Sequence, residues 1–291
     1  TQTDLSFNAS GELDNGFTVS SFMFFDTGGN VSNTSAQMTV GMGSLGTLQI
    51  NNRYGSKANA IDDVTPHAYN ETWDGLSTVN PSTFGSRTMH GSLDYRIPTQ
   101  ELMGVTVNAS VTIDPSAGES TEVKGGVSTT SVSGTAYTLQ LAHESGLEIG
   151  GGIESVDDAD GKTKGSGTEE ATGYVKFAAG GLSVAYQEAY TNTLNHQLSG
   201  DVAVAPGADV ETTFMGIAYT AGDVTVSYGE STSQTKAVSA TAALAEKELE
   251  SLQVAYTMGA MTIAAAMSET TGESATTDKY EENTLSINFA F

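Results

Sequence analysis

The stretch of sequence that decides the fold reads Val105-Thr106-Val107-Asn108-Ala109-Ser110-Val111-Thr112-Ile113, with apolar residues at the odd positions and polar residues at the even ones. Successive side chains of a β-strand point to opposite faces, so this period predicts a strand with one apolar and one polar face. The same alternation recurs at residues 182–186, 224–228, 252–256 and 285–291. Soluble β-sandwiches alternate in the same way, so the connections between strands must separate the two classes.

The composition narrows the class of protein further. The 291 residues carry a net charge of -24 with 11 Lys and Arg, and they contain no cysteine. Nucleic acid is therefore excluded as a partner, because phosphate binding needs clustered cations. The absence of cysteine excludes disulfides and Cys-ligated metal sites. No apolar run is long enough for a membrane-spanning helix, but a transmembrane barrel faces lipid with only every second residue. No signal peptide is visible at Thr1.

Short and long connections take turns along the chain. The short ones carry the glycine or asparagine of tight hairpins, at residues 14–16, 43–46, 180–181, 221–223 and 258–260. The long ones are polar, at residues 54–86, 115–130, 157–170, 194–208 and 231–248. A transmembrane barrel has this arrangement, with short turns at one end of the barrel and long loops at the other.

Aromatic residues stand on the apolar face just before three of the short turns, at Phe177, Tyr219 and Tyr256. Membrane barrels carry a girdle of aromatic residues at each interface with water. A soluble sandwich has no reason to ring one rim with outward aromatics. The pattern therefore predicts an all-β, transmembrane antiparallel meander barrel that occupies residues 1–291 as a single domain.

The alternation and the turns predict fifteen strands. Their approximate bounds are 4–13, 17–26, 35–42, 47–53, 87–97, 104–113, 132–142, 146–156, 171–179, 181–191, 209–220, 223–231, 249–257, 260–268 and 282–291. Single-chain bacterial barrels have even strand numbers. We therefore expect a 16-stranded barrel whose N-terminal strand lies before Thr1, or, as the alternative, one further strand within residues 115–134.

Four stretches resemble the trimeric general-diffusion porins of alphaproteobacteria. They are residues 4–19 (DLSFNASGELDNGFTV), 46–50 (GTLQI) running into 60–66 (AIDDVTP), 68–74 (AYNETWD), and the terminal strand ending at Phe291. The resemblance implies sixteen strands, a homotrimer in the outer-membrane lipid, and a long loop that folds into the barrel. It also implies that the outer-membrane insertion machinery reads Phe291 as an assembly signal.

The segment 54–86 is the candidate pore constriction. All three arginines, Arg53, Arg87 and Arg96, lie at its borders, and His90 shares the strand parity of Arg96 that points to the lumen. The segment itself carries four carboxylates, at Asp62, Asp63, Glu71 and Asp74. Carboxylates on an infolded loop that face cations on the wall would select solutes by charge. The alternative is an ordinary acidic surface loop beside ordinary salt bridges.

Other candidate features have simpler interpretations. Trp73 is expected to anchor its loop by packing, and residues 237–250 have the composition of a short surface helix. The histidines show neither Ser-His-Asp nor metal-ligand spacing. We therefore expect no catalytic residues, no metal site and no cofactor beyond loose divalent-cation binding by acidic loops such as residues 157–161.

The sequence thus predicts a porin in the outer membrane of a Gram-negative bacterium. Its water-filled channel would pass small hydrophilic solutes and ions by passive diffusion, with a preference for cations. The competing classes are a secreted acidic β-rich surface protein or adhesin, and a barrel enzyme, for which the sequence offers no convergent nucleophile and base.

Overall fold

The structure, a computed structural model, describes residues 5–26, 32–52, 55–74, 84–85, 91–115, 133–156, 168–193, 209–236, 246–274 and 277–289. These residues form β-strands, turns and two short 3₁₀ turns. The strands are β1 (Leu5–Glu12), β2 (Thr18–Asp26), β3 (Ser32–Gly41), β4 (Thr47–Asn52), β5 (Ser92–Arg96), β6 (Gln100–Leu102), β7 (Val105–Asp114), β8 (Gly134–His143), β9 (Leu147–Val156), β10 (Thr168–Ala179), β11 (Leu182–Thr193), β12 (Asp209–Ala221), β13 (Val224–Lys236), β14 (Glu246–Met258), β15 (Met261–Ser274) and β16 (Thr277–Phe289).

The strands form one antiparallel meander in which each strand pairs with the next along the chain. The exception is β6, which pairs with β7 beside β5, so β5 and β6 are two pieces of one span. Pro98 lies between the two pieces, and its missing N–H explains the interruption of the ladder. All fifteen predicted strands are confirmed. In the described ranges, β1 pairs with β2 alone and β16 with β15 alone.

The short hairpin turns are also confirmed. Gly222 and Gly259, for example, have φ of 60° and 61°, in the left-handed region that glycine enters without a steric penalty. The long connection predicted at residues 231–248 is shorter than expected. Strand β13 extends to Lys236, and β14 already begins at Glu246.

The helical composition of residues 237–250 was misleading where the structure describes them. Glu246–Glu250 belong to β14, with Leu249 buried and Glu248 and Glu250 exposed. Pairing with β13 and β15 on both sides decides the conformation, because a sheet context overrides weak helix propensity. Residues 237–245 lie outside the described ranges.

The two faces of the sheet differ as the alternation predicts. Large apolar side chains are exposed on one face, which we call the outer face; on β16 they are Leu285, Ile287 and Phe289, at 74, 55 and 59% exposure. Phe177, Tyr219 and Tyr256 stand on the same face beside the short turns. The opposite, inner face carries small polar residues such as Ser227, Ser251 and Thr270, all of them buried. No helix in the described ranges is long and apolar enough to cross a membrane.

A row of four glutamates crosses the outer face of β13–β16. Glu230, Glu250, Glu269 and Glu281 lie directly opposite one another in successive ladders. Lys279 bridges the last two, with Nζ 2.7 Å from a carboxylate oxygen of each. Because charged side chains are costly in hydrocarbon, this row lies above the apolar band of these strands.

Candidate pore constriction

The segment 55–74 begins at a polar anchor on the inner face of β4 and β5. The Arg96 guanidinium donates to Oδ2 of Asp94 at 2.7 Å, to the Gly55 carbonyl at 3.0 Å, and to Oε1 of Gln49. The backbone N–H of Lys57 donates to the same Asp94 oxygen at 3.2 Å. Asp94 is fully buried, so it both neutralises Arg96 and fixes the first residues of the segment.

An apolar cluster holds the next part of the segment. Ala58, Ile61 and Phe84 pack with Ala136 of β8 and Tyr174 of β10, and all five are buried. Gly152 of β9 makes room for the Phe84 ring, because a Cβ there would lie 2.6 Å from Phe84 Cζ. The cluster attaches the segment to the inner wall by hydrophobic burial rather than by charge.

Two inward glutamines bind the backbone of the segment farther along. Gln187 of β11 accepts from the Val64 N–H at 2.8 Å and donates to the Ile61 carbonyl at 2.8 Å. Gln253 of β14 accepts from Tyr69 and Asn70 N–H and donates to the Asn70 carbonyl, at 2.9, 3.1 and 2.7 Å. Neutral amides thus satisfy backbone groups that would otherwise be buried without partners.

Trp73 ends the described segment by packing, as the sequence predicts. Its ring lies against Leu249, an inward residue of β14, and its Nε1–H donates to Glu71 Oε2 at 2.7 Å. The indole therefore positions the carboxylate of Glu71 as well as the loop.

The segment contacts the inner face of the sheet from β3 to β14. It meets β3 where Gly55 approaches the Gln37 side chain, and it meets β13 where the Ala68 N–H donates to Ser227 Oγ at 2.8 Å. One segment of twenty residues touches so many strands only if the sheet curves around it. The sheet is therefore a barrel wall with its polar face inward.

Gly216 of β12 is a point of close approach between the wall and the segment. A Cβ there would lie 2.8 Å from Thr65 Cβ and 3.0 Å from Pro66 Cδ. We expect Gly216→Val to lower the free energy of unfolding in detergent by about 1–3 kcal/mol, because the stiff proline ring cannot move aside. Gly173→Val is the matched control, since a Cβ on this exposed mid-strand glycine meets nothing within 4 Å. Equal stability of the two variants would contradict the close packing.

The four carboxylates of the segment lie near one another and are partly withdrawn from water. Burial raises the pKa of Glu71 to about 8, and the negative charges of Asp62, Asp63 and Asp74 add to the effect. Burial also raises the pKa of Asp62 to about 6, against hydrogen bonds from the backbone that lower it. Asp63 and Asp74 have a raised pKa for the same first reason, burial. At neutral pH the cluster therefore carries less than its full formal charge.

The structure describes only some of the residues that the sequence predicts for the pore constriction. Asp62, Asp63, Glu71 and Asp74 share one segment on the inner side, and Arg96 is ion-paired at its start. Arg53, Arg87, His90 and Phe291 lie outside the described residues. Sequence reasoning did not identify Gln187, Ser227 and Gln253 as residues that hold the segment, nor the role of Asp94 in holding it. Their one signal is a polar residue at inward parity. Across the described ranges, no three His, Asp or Glu side chains are placed to hold a metal ion.

An antiparallel meander with an apolar outer face, a polar inner face and its own long connection against the inner wall has the architecture of an outer-membrane barrel channel. The chain belongs to the Gram-negative porin family, whose profile matches residues 1–291. Members of this family are non-enzymatic channels of the outer membrane, and this chain is an outer-membrane β-barrel channel.

Solved structures show the same fold at low sequence identity. A refined porin structure has a TM-score of 0.68 and 16% identity, covering 99% of this chain and 92% of the other. The anion-selective porin from Comamonas acidovorans has a TM-score of 0.67 and 13% sequence identity. The match covers 100% of this chain and 90% of the Comamonas chain. A loop-deletion mutant of OmpT, an outer membrane protein of Vibrio cholerae, has a TM-score of 0.67 and 12% sequence identity. The match covers 98% of this chain and 89% of the OmpT chain. No curated protein sequence matches the chain significantly.

Proposed function

We propose that the chain is a general-diffusion porin of the alphaproteobacterial type, a cation-preferring pore for the passive passage of small hydrophilic solutes and ions. The observation that carries the proposal is the attachment of segment 55–74 across the inner wall from β3 to β14. A barrel of this size leaves an aqueous lumen, so a segment fixed inside it reduces the bore. On this proposal, residues 54–86 form the constriction.

The preference for cations follows from the charges that line this segment. Asp62, Asp63, Glu71 and Asp74 contribute negative charge, whereas Arg96 is neutralised by its ion pair with Asp94 at 2.7 Å. Arg53 and Arg87 would oppose the carboxylates from the wall, as the sequence suggests. The balance favours cations because the field of a cluster of carboxylates attracts positive solutes.

Selectivity has to come from this chain's own residues. The Comamonas porin is anion-selective and shares 13% identity, a likeness that concerns the fold alone. A common barrel therefore says nothing about the sign of the preferred ion, because the lining side chains set it.

The proposal includes the assembly of the pore. The apolar outer face would contact outer-membrane lipid and, in a homotrimer, the neighbouring subunits; one of the similar OmpT structures is a trimer form. Phe291 would be read by the outer-membrane insertion machinery. The exposed apolar faces argue against the secreted surface-protein alternative, because such a protein would bury them.

The experiment that tests the proposal is single-channel recording in a planar bilayer with a salt gradient across it. We expect stepwise conductance and a reversal potential of the sign given by cation preference. Absence of any conductance would overturn the channel, whereas a reversal potential of the opposite sign would overturn the cation preference alone.

Cation preference should depend on pH. The carboxyl groups of Asp62 and Glu71 have a pKa of about 6 and about 8, so each is neutral below its value and negative above it. The cation-to-anion permeability ratio should therefore rise with pH in two steps, near these values. Glu71→Gln should remove the upper step and Asp62→Asn the lower one, as measured by reversal potentials between pH 5 and 9. A ratio independent of pH would refute this assignment.

A further inference from the structure

A cavity of about 330 Å³ lies on the inner face of β1–β3, apart from the carboxylates of the constriction. Two cross-strand rows of three residues line it: Asn8, Phe22 and Gln37 in one, and Ser10, Ser20 and Thr39 in the other. None of these six side chains is charged, in a protein with a net charge of -24. The cavity therefore has no charged side chain among these six to hold an ion, and it suits a neutral solute.

Phe22 is one of the inward aromatic residues that remain open to the lumen. Tyr174 and Phe214, at other inward strand positions, are 4 and 1% exposed, whereas Phe22 and its neighbour Phe24 are half-buried and Tyr280 is 37% exposed. The Phe22 ring lies 6.5 Å from that of Phe24, nearly parallel at 15°. On the outer face of the same strand pair, Phe7 and Phe25 meet edge to face, at an interplanar angle of 89°. An aromatic surface left open to an aqueous lumen favours a solute with an apolar face of its own.

The polar neighbours of Phe22 provide hydrogen-bonding groups around the ring. Asn8, Ser10 and Ser20 are exposed and contribute amide and hydroxyl groups. The Gln37 amide has a fixed orientation, because Gln49 Nε2 donates to its Oε1 at 3.0 Å. These groups donate and accept without carrying charge.

We propose that this cavity is a binding subsite for neutral saccharides on their way through the pore. A pyranose ring has an apolar C–H face that stacks on an aromatic side chain, and its hydroxyls exchange hydrogen bonds with amides and other hydroxyls. The cavity adjoins the start of the constriction, since Gly55 approaches the Gln37 side chain. A saccharide held there lies beside the narrowed passage. This inference rests on the proposed channel function.

The test is the block of single-channel current by a neutral glucose trimer, maltotriose, in a planar bilayer. In the unmodified protein we expect concentration-dependent interruptions of the current, and a polyethylene glycol of equal size should cause fewer. Phe22→Ala should raise the half-blocking concentration about tenfold, the loss expected for one aromatic stacking contact. Phe22→Tyr keeps the ring and should keep the block.

Phe25→Ala is the matched control, because Phe25 lies on the outer face of the same strand. It should leave the half-blocking concentration unchanged, and unit conductance identifies correctly folded channels in every variant. Equal block by maltotriose and polyethylene glycol, or equal block of the unmodified protein and Phe22→Ala, would overturn the saccharide subsite. Failure to conduct in the unmodified protein would instead overturn the proposed channel.

Discussion

Replacing Asp62, Asp63, Glu71 and Asp74 together by their amides is expected to abolish most of the cation preference. An ionised carboxylate stabilises a cation at 4 Å by about 1 kcal/mol in water, which corresponds to about fivefold in occupancy. The cation-to-anion permeability ratio should therefore fall about fivefold or more. The permeability ratio should be measured above pH 9, where the carboxylates of the unmodified protein are ionised, because the pKa of Glu71 is about 8.

The row of glutamates on the outer face provides the matched control. Changing Glu230, Glu250, Glu269 and Glu281 to glutamine alters the formal charge by the same amount, on the other side of the wall. These charges are separated from the lumen by the sheet and screened over about 10 Å at 0.1 M salt. This variant should keep its selectivity. If both quadruple variants behaved alike, or if the inner variant kept its conductance and selectivity, the constriction assignment would be wrong.

The double variant Gln187→Ala, Gln253→Ala should loosen the attachment of segment 55–74 to the inner wall. Each amide makes three hydrogen bonds to the backbone of the segment, and each such bond contributes about 1 kcal/mol. The segment should then move away from the wall intermittently. We expect larger open-channel current noise and passage of larger neutral polymers than in the unmodified protein.

Gln140→Ala controls for the loss of an inward glutamine as such. Gln140 donates to the Tyr174 hydroxyl at 3.0 Å, a contact within the wall. This variant should therefore keep the noise level and size limit of the unmodified channel. A double variant as quiet as the control would show that the apolar cluster around Phe84 suffices to fix the segment.

The strands were predictable because their signal is local. Alternation at residues 105–113 and glycines in the short turns depend on neighbours in sequence, so all fifteen strands could be placed from the sequence. The strand bounds near residues 237–250 were less predictable. There the ladders with β13 and β15 outweigh a helical composition that is equally local.

The attachment of segment 55–74 to the wall could not be predicted from the sequence, for a different reason. Asn70 and Gln253 are 183 residues apart, and nothing in either stretch indicates the other. Arg96 differs, because its place at the border of the segment and its inward direction were predictable from the sequence. Its ion pair with Asp94 also follows from spacing, since residues two apart share a face of a strand, but the burial that makes the pair strong depends on the whole wall.

The long sequence separation of these contacts has a consequence for the order of folding. Gln253 lies on β14, so its hydrogen bonds to Tyr69 and Asn70 form only after most of the chain has been laid down. Contacts of such high contact order are slow to form, because a long loop must close first. The end of the segment at Tyr69 and Asn70 therefore docks late, after β14 has reached its place. Until that strand is placed, only the contacts with earlier strands hold the segment, so its far end reaches its final position late in biogenesis.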